Sequence, residues 1–205
     1  MPKLTTPPPL QDVKLIKHFA PWLSELTGVK VEAETFCEDL LDGQALCKVF
    51  SMLKGSGVTT YHVKGSGIAQ LDAFKSRENL VQFQQGCKNL ALPVQFGTEE
   101  LEAGNLGKVA SCLVFVAHTC ASQGVGIKQM GQELRSRLES VAGLTDNLEN
   151  SGDLTWWQNL LVKLGFGEYL EHIGVEQLKA YIAQAKQNGV TKLEEIKAKL
   201  NPPKA

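Results

Sequence analysis

No stretch of this chain strings together the roughly eighteen apolar residues that a membrane-spanning helix needs, so no transmembrane segment and no membrane partner are expected. There is no basic excess either: 21 Lys and Arg stand against 22 Asp and Glu, a formal net charge of −1. General nucleic-acid binders carry a strong positive surplus, so that class is set aside and any anionic partner has to meet a local patch. The five cysteines, Cys37, Cys47, Cys87, Cys112 and Cys120, are odd in number and share no repeated spacing. They make a poor disulfide framework and read as buried core thiols of an intracellular protein. The opening MPKLTTPPPLQ has no apolar core of a secretory signal, and a cytoplasmic location is expected.

The usual signs of chemistry are missing as well. His18, His62, His118 and His172 are scattered, none spaced from another as metal-binding histidines on a helix or knuckle are. Lys54-Gly55-Ser56-Gly57 and its echo Lys64-Gly65-Ser66-Gly67 lack the Gly-x-x-x-x-Gly-Lys-Ser/Thr order that cradles phosphate. Gly107-Lys108-Val109 fails the same test, with Glu102 where the first glycine belongs and Val109 where the hydroxyl belongs. Glu34, Glu38, Glu99 and Glu100 fall in helix first turns, where a carboxylate has a capping or dipole role. No cofactor, metal or catalytic residue is expected. An enzyme reading would need a concave site with perturbed ionisable groups, which sequence alone does not display.

What is present is helical periodicity. From Val13, the residues Leu15, Ile16, Phe19, Trp22, Leu23 and Leu26 trace one face; Pro21 should kink or restart that helix and Gly28 should end it. Thr35 and Glu38 have the spacing of a capping box ahead of Phe36, Leu40, Gly43, Cys47 and Phe50, which share one stripe. Periodicity on both sides of Asp42-Gly43 favours close helix packing at Gly43 over a ligand loop. Residues 54–67 read as a loop. Between Ala73 and Val116 two helices follow: Leu80, Phe83, Cys87, Leu90 and Ala91 on one face, with Ser76 the expected N-cap and Pro93 the stop, and Leu106, Val109, Leu113, Val116 and Cys120 on another, opened by Asn105. Thr98 is expected to cap a short turn between them.

The order Ser-Arg-Glu-Asn-Leu (76–80), the Leu-Ala-Leu-Pro turn (90–93), Phe96, Glu-Glu-Leu-Glu (99–102) and Asn105 through Leu113 resembles the second half of a calponin-homology domain. FCEDLLDGQALCKVF (36–50) resembles that family's central helix and Trp22-Leu23 its first. The turn and acidic run are most similar to single calponin-homology domains ahead of some plant kinesin motors. The resemblance implies an all-α fold over residues 11–122 and a non-enzymatic cytoskeletal binding or adaptor role, on actin or, as the alternative, on microtubules or ciliary structures.

Around that domain the chain divides further. Residues 1–10 form a Pro-rich arm, expected to be extended and flexible. Residues 123–150 carry the stripe Ile127, Met130, Leu134, Leu138, Val141 and Leu148, which suits either a partner-binding helix or packing on its own chain. Residues 151–205 read as a smaller helical region, resembling a SAM domain at Trp157, Leu164–Leu170 and Gly189–Ile196 but poorly in its middle helices. Trp156 and Trp157 project about 100° apart on a helix, so Trp156 is the residue expected to meet a protein partner. Between Gly43 and Leu92, six cations (Lys48, Lys54, Lys64, Lys75, Arg77, Lys88) oppose only Asp72 and Glu78. Lys48, Lys64, Lys75, Arg77 and Lys88 are therefore the expected contacts for an acidic filament surface, actin or tubulin.

Overall fold

The segment richest in apolar residues, Leu106–Gln123, lies at the centre, and each residue from Val109 to Ser122 is buried. A helix apolar on every side has to be covered on every side, and the rest of the fold does that. The computed structural model describes residues 10–63, 65, 67–139, 180, 181, 183 and 184, with side chains from residue 14 onward. In chain order the elements are α1 (Leu10–Thr27), α2 (Phe36–Leu40), α3 (Gln44–Ser51), α4 (Ala69–Asn89), α5 (Thr98–Glu102) and α6 (Leu106–Gln123). Residues 132–139 are also helical. No strand occurs among the described residues, and the chain is all-α as expected.

Helices α1 and α5 pack on α6, α3 packs on α1, and α4 packs on α3. Phe19, Trp22 and Leu23 bury the inner face of α1, and the Trp22 indole donates to the Gly126 carbonyl at 3.2 Å, tying α1 to the turn after α6. Pro21 neither ends nor restarts α1; it sits on the solvent side, where water can meet the carbonyl it leaves unbonded. Gly28 closes α1 at φ 69°. The second layer of the core is aromatic: Phe83 meets Phe50 edge-on at 5.0 Å and Phe96 at 4.8 Å.

Several local expectations change. The stripe from Phe36 to Phe50 is not one helix, because Gly43 turns left-handed at φ 68° and separates α2 from α3. Close packing is nonetheless the reason for the glycine: a Cβ there would sit 2.6 Å from the Asn79 Cβ. The Thr35–Glu38 capping box does not form. Asp39 takes the role, its Oδ2 accepting the Glu32 N–H and the Thr35 hydroxyl, each at 2.8 Å. Ser76 does not start α4, which begins two turns earlier; its hydroxyl donates back to the Asp72 carbonyl at 2.8 Å. Thr98 is the first residue of α5 rather than its cap, and the Glu100 carboxylate accepts the Gly97 N–H at 2.8 Å. Asn105 caps α6 as expected, accepting the Lys108 N–H at 3.1 Å.

Asn79 closes the corner between α2, α3 and α4. Its side-chain amide donates to the carbonyls of Asp42 and His62, both at 2.8 Å, while its side-chain oxygen accepts the His62 N–H at 2.7 Å. The Cys47 thiol donates to the Asn79 carbonyl at 3.1 Å. The side chain thus satisfies both backbone groups of His62 and fixes the 52–68 loop against α4. A second tie on the same loop runs from the Asn89 amide to the Ser56 carbonyl at 2.8 Å.

The core also takes in residues beyond α6. Met130, Leu134, Leu138 and Tyr181 belong to the same buried cluster as α1 and α6. For the part of the 123–150 stripe that is described, packing on its own chain is the arrangement found. Residues 1–9, the remainder of that stripe, the SAM-like region with Trp156 apart from residues 180, 181, 183 and 184, and Lys64 lie outside the described residues.

Two measurements follow from these contacts. Asn79→Ala leaves the part-buried His62 N–H and two carbonyls short of partners, and chemical denaturation should show a loss of about 3 kcal/mol; a loss below about 1 kcal/mol would mean the corner holds without it. His118 is fully buried, and burial pushes its imidazole down to about 4 from an ordinary 6.5. The folded state therefore favours neutral histidine, so this contribution is complete above pH 6.5 and is lost as pH falls toward 4. Stability should drop through that window by a few kcal/mol, on the order of 1.4 per pKa unit, with a flatter profile in His118→Gln. Equal slopes in the two proteins would contradict the assignment.

Candidate functional site

Helix α4 turns Asn79, Leu80, Phe83, Gly86 and Cys87 inward. At 100° per residue these positions span one side of the helix, and the opposite side has to carry Leu71, Phe74, Arg77, Val81, Gln85 and Lys88. That outward side is not the polar surface an ordinary amphipathic helix presents. Leu71 is 41% exposed, Phe74 56% and Val81 63%. Val63, on the loop that Asn79 pins to this helix, is 62% exposed. Large apolar side chains gathered on one exposed face and edged by charge mark an interaction surface more often than an idle one.

The inward side cannot rotate to hide them. A Cβ on Gly86 would approach Phe50 Cδ1 to 2.5 Å, so α4 and α3 meet at a distance only glycine allows. The Asn79 bonds set the rotation about the helix axis, and the adjacent Glu78 carboxylate meets His62 Nε2 at 2.7 Å on the flank. Leu71, Phe74 and Val81 are therefore held out by the same contacts that bury Leu80 and Phe83.

The expected filament-binding cations divide between different sides of the fold. Arg77 and Lys88 share the outward face of α4, eleven positions or about 16 Å apart along the axis. Neither forms an ion pair or side-chain hydrogen bond among the described residues. Lys75 projects about 160° from Arg77, and its ammonium lies 3.5 Å from the Val63 carbonyl. Lys48 is half-buried on α3 with its ammonium near the Gly28 turn, where a Cβ would stand 3.9 Å away. The carboxylate nearest Arg77 in sequence, Glu78, is engaged by His62 Nε2 on the flank of the helix.

Elsewhere the described residues hold little that could do chemistry. Among them no group of three or more His, Cys, Asp or Glu is placed to hold a metal ion. Burial pushes the Cys47 thiol up to about 12 and also raises Cys87 and Cys120, which keeps them protonated and unreactive. Glu100 is partly buried, which works against its charge, yet the Lys108 ammonium and the Gly97 N–H hold its carboxyl below the usual range. That pair ties α5 to α6 and has a structural role.

Leu71, Phe74 and Val81 were absent from the residues singled out in the sequence. The signal was there in the spacing: once α4 starts at Ala69 instead of Ser76, positions 71, 74, 78, 81, 85 and 88 fall on a second stripe opposite the core stripe.

A family model for the calponin homology (CH) domain matches residues 14–122. Myophilin from Echinococcus granulosus is 29% identical over 103 residues, which is 48% of this chain and 52% of myophilin. The Ras guanine nucleotide exchange factor P of Dictyostelium discoideum is 30% identical over 71 residues, 35% of this chain and 4% of that protein. The chain thus spans about half the length of the first and a small fraction of the second. No solved structure matches.

Proposed function

Because this chain belongs to the calponin-homology family, whose members are typically non-enzymatic binding modules with cytoskeleton-related or adaptor roles, we propose that it is a cytoskeletal adaptor that grips an acidic filament through the outward face of α4. Actin is the favoured filament and tubulin the alternative. The observation that carries the reading is the pairing of exposed Leu71, Phe74 and Val81 with Arg77 and Lys88, which form no ion pair among the described residues, on one helix face. Actin and tubulin surfaces are both anionic, so the cations would steer encounter and set register, while the apolar centre would supply the larger part of the affinity. Residues around Trp156 would hold the adaptor's second partner.

Of the five cations expected to meet the filament, this reading places most weight on Arg77 and Lys88 and little on Lys48 and Lys75. The exchange-factor activity in the name of the Dictyostelium relative belongs to that protein, of which only 4% is matched.

Co-sedimentation of the full chain with actin filaments and with microtubules, at low and at physiological ionic strength, tests the proposal. Binding should weaken as salt rises. Arg77→Glu with Lys88→Glu should cost about tenfold or more at low salt, and Lys75→Glu much less. Phe74→Ser should weaken binding at both salt levels while leaving stability within about 0.5 kcal/mol, since its side chain is exposed. Binding to neither polymer, or binding indifferent to salt and to these substitutions, would overturn it.

A further inference from the structure

The buried surface of α6 is mostly apolar, and among its few buried polar residues His118 and Thr119 stand one turn beyond Phe115. These residues, at i, i+3 and i+4, line one strip of the helix. Over the strip lies Tyr181, far outside the family-matched residues 14–122 and only 2% exposed. Its phenol oxygen is 2.7 Å from His118 Nδ1 and 3.3 Å from Thr119 Oγ1, and its ring meets Phe115 edge-on at 5.3 Å. Ala180, Tyr181, Ala183 and Gln184 are helical, and the Gln184 amide donates to the Asn89 carbonyl at the end of α4, at 2.6 Å.

The proton inventory at this strip selects tyrosine. The Thr119 hydroxyl has one hydrogen and gives it to the Phe115 carbonyl at 2.9 Å, so toward Tyr181 it acts as acceptor. A chain that uses each donor once runs from His118 Nδ1–H to the tyrosine oxygen, from the tyrosine O–H to Thr119, and from Thr119 to the backbone. It leaves Nε2 as a lone pair, in keeping with the absence of any hydrogen-bond partner for that buried atom among the described residues. The occupant must therefore offer one donor and one acceptor at the tip of a flat ring. Phenylalanine offers neither, and serine or threonine does not reach.

We propose that the Phe115–His118–Thr119 strip is a tyrosine-docking site and that Tyr181 of the same chain is its occupant, so that the C-terminal segment is latched onto the calponin-homology fold by a releasable side chain. The latch adds to this chain a contact that residues 14–122 do not contain, and it couples whatever the C-terminal region binds to the state of α6. A phosphate on the tyrosine oxygen would be incompatible with it, because Tyr181 is buried and no cation is bonded to its oxygen among the described residues.

The test uses the full chain as wild type, Tyr181→Phe and Tyr181→Ala. Tryptic cleavage at Lys179 and Lys186 should speed up severalfold in Tyr181→Phe and more in Tyr181→Ala. A synthetic peptide of residues 175–189 should bind the Tyr181→Ala chain and not the wild type. The same peptide carrying Tyr181→Phe should bind about tenfold more weakly, and the peptide phosphorylated on Tyr181 not at all. If Tyr181→Ala does not fold, Tyr181→Phe, which keeps the ring packing, carries the comparison with the same peptides. Equal cleavage of the three chains, or a peptide that binds both chains alike or neither, would overturn the site.

Discussion

One side-chain amide settles the geometry on which the proposed interaction surface depends. Asn79 is buried in the middle of α4, where a polar residue costs stability unless its hydrogen-bonding capacity is used. Here it is used on the carbonyls of Asp42 and His62 and on the His62 N–H, against a glycine whose missing Cβ makes room. The consequence is rotational. With Asn79 fixed inward, Leu80 and Phe83 follow into the core, and Leu71, Phe74 and Val81 have no place but the outside. A helix that buried its second apolar stripe instead would give up the Asn79 bonds and drive Gly86 away from Phe50. The exposed face is thus the complement of a well-satisfied buried one.

A second constraint comes from α6, which is buried over almost its whole length. Helices α1 and α5 account for part of the cover, and Met130, Leu134, Leu138 and Tyr181 supply another part from outside the family-matched residues. Arg135 strengthens that addition by donating from Nε to the Met130 carbonyl at 2.9 Å and from its guanidinium to the Ile127 carbonyl at 3.0 Å. The region after the domain is therefore partly built into the domain's core.

Much of this was legible in the residues, and the failures have identifiable causes. The faces of α1 and α6, the Gly28 stop and the Asn105 cap follow from periodicity and capping chemistry and stand as read. The start of α4 was misplaced because Ser76 has the look of an N-cap, whereas the true N-cap, Ile68, makes no side-chain capping bond. That displacement hid Leu71 and Phe74. The break at Gly43 was masked by apolar spacing that happens to continue across a left-handed turn. Counting Lys75 and Arg77 as one basic stretch ignored that neighbours two apart on a helix point to nearly opposite sides. The Asn79 corner and the Tyr181 contact join residues distant in sequence, and no local pattern announces either.

The claim that everything else serves is that the outward face of α4 is the binding surface. Hydroxyl-radical footprinting of the full chain, alone and on actin filaments, reads it directly through the solvent exposure of individual side chains. Modification of Leu71, Phe74 and Val81 should fall when the filament is added, while exposed Met52, off α4, keeps its rate. Unchanged labelling of Phe74 on the filament, with protection appearing on another face of the fold, would contradict the account.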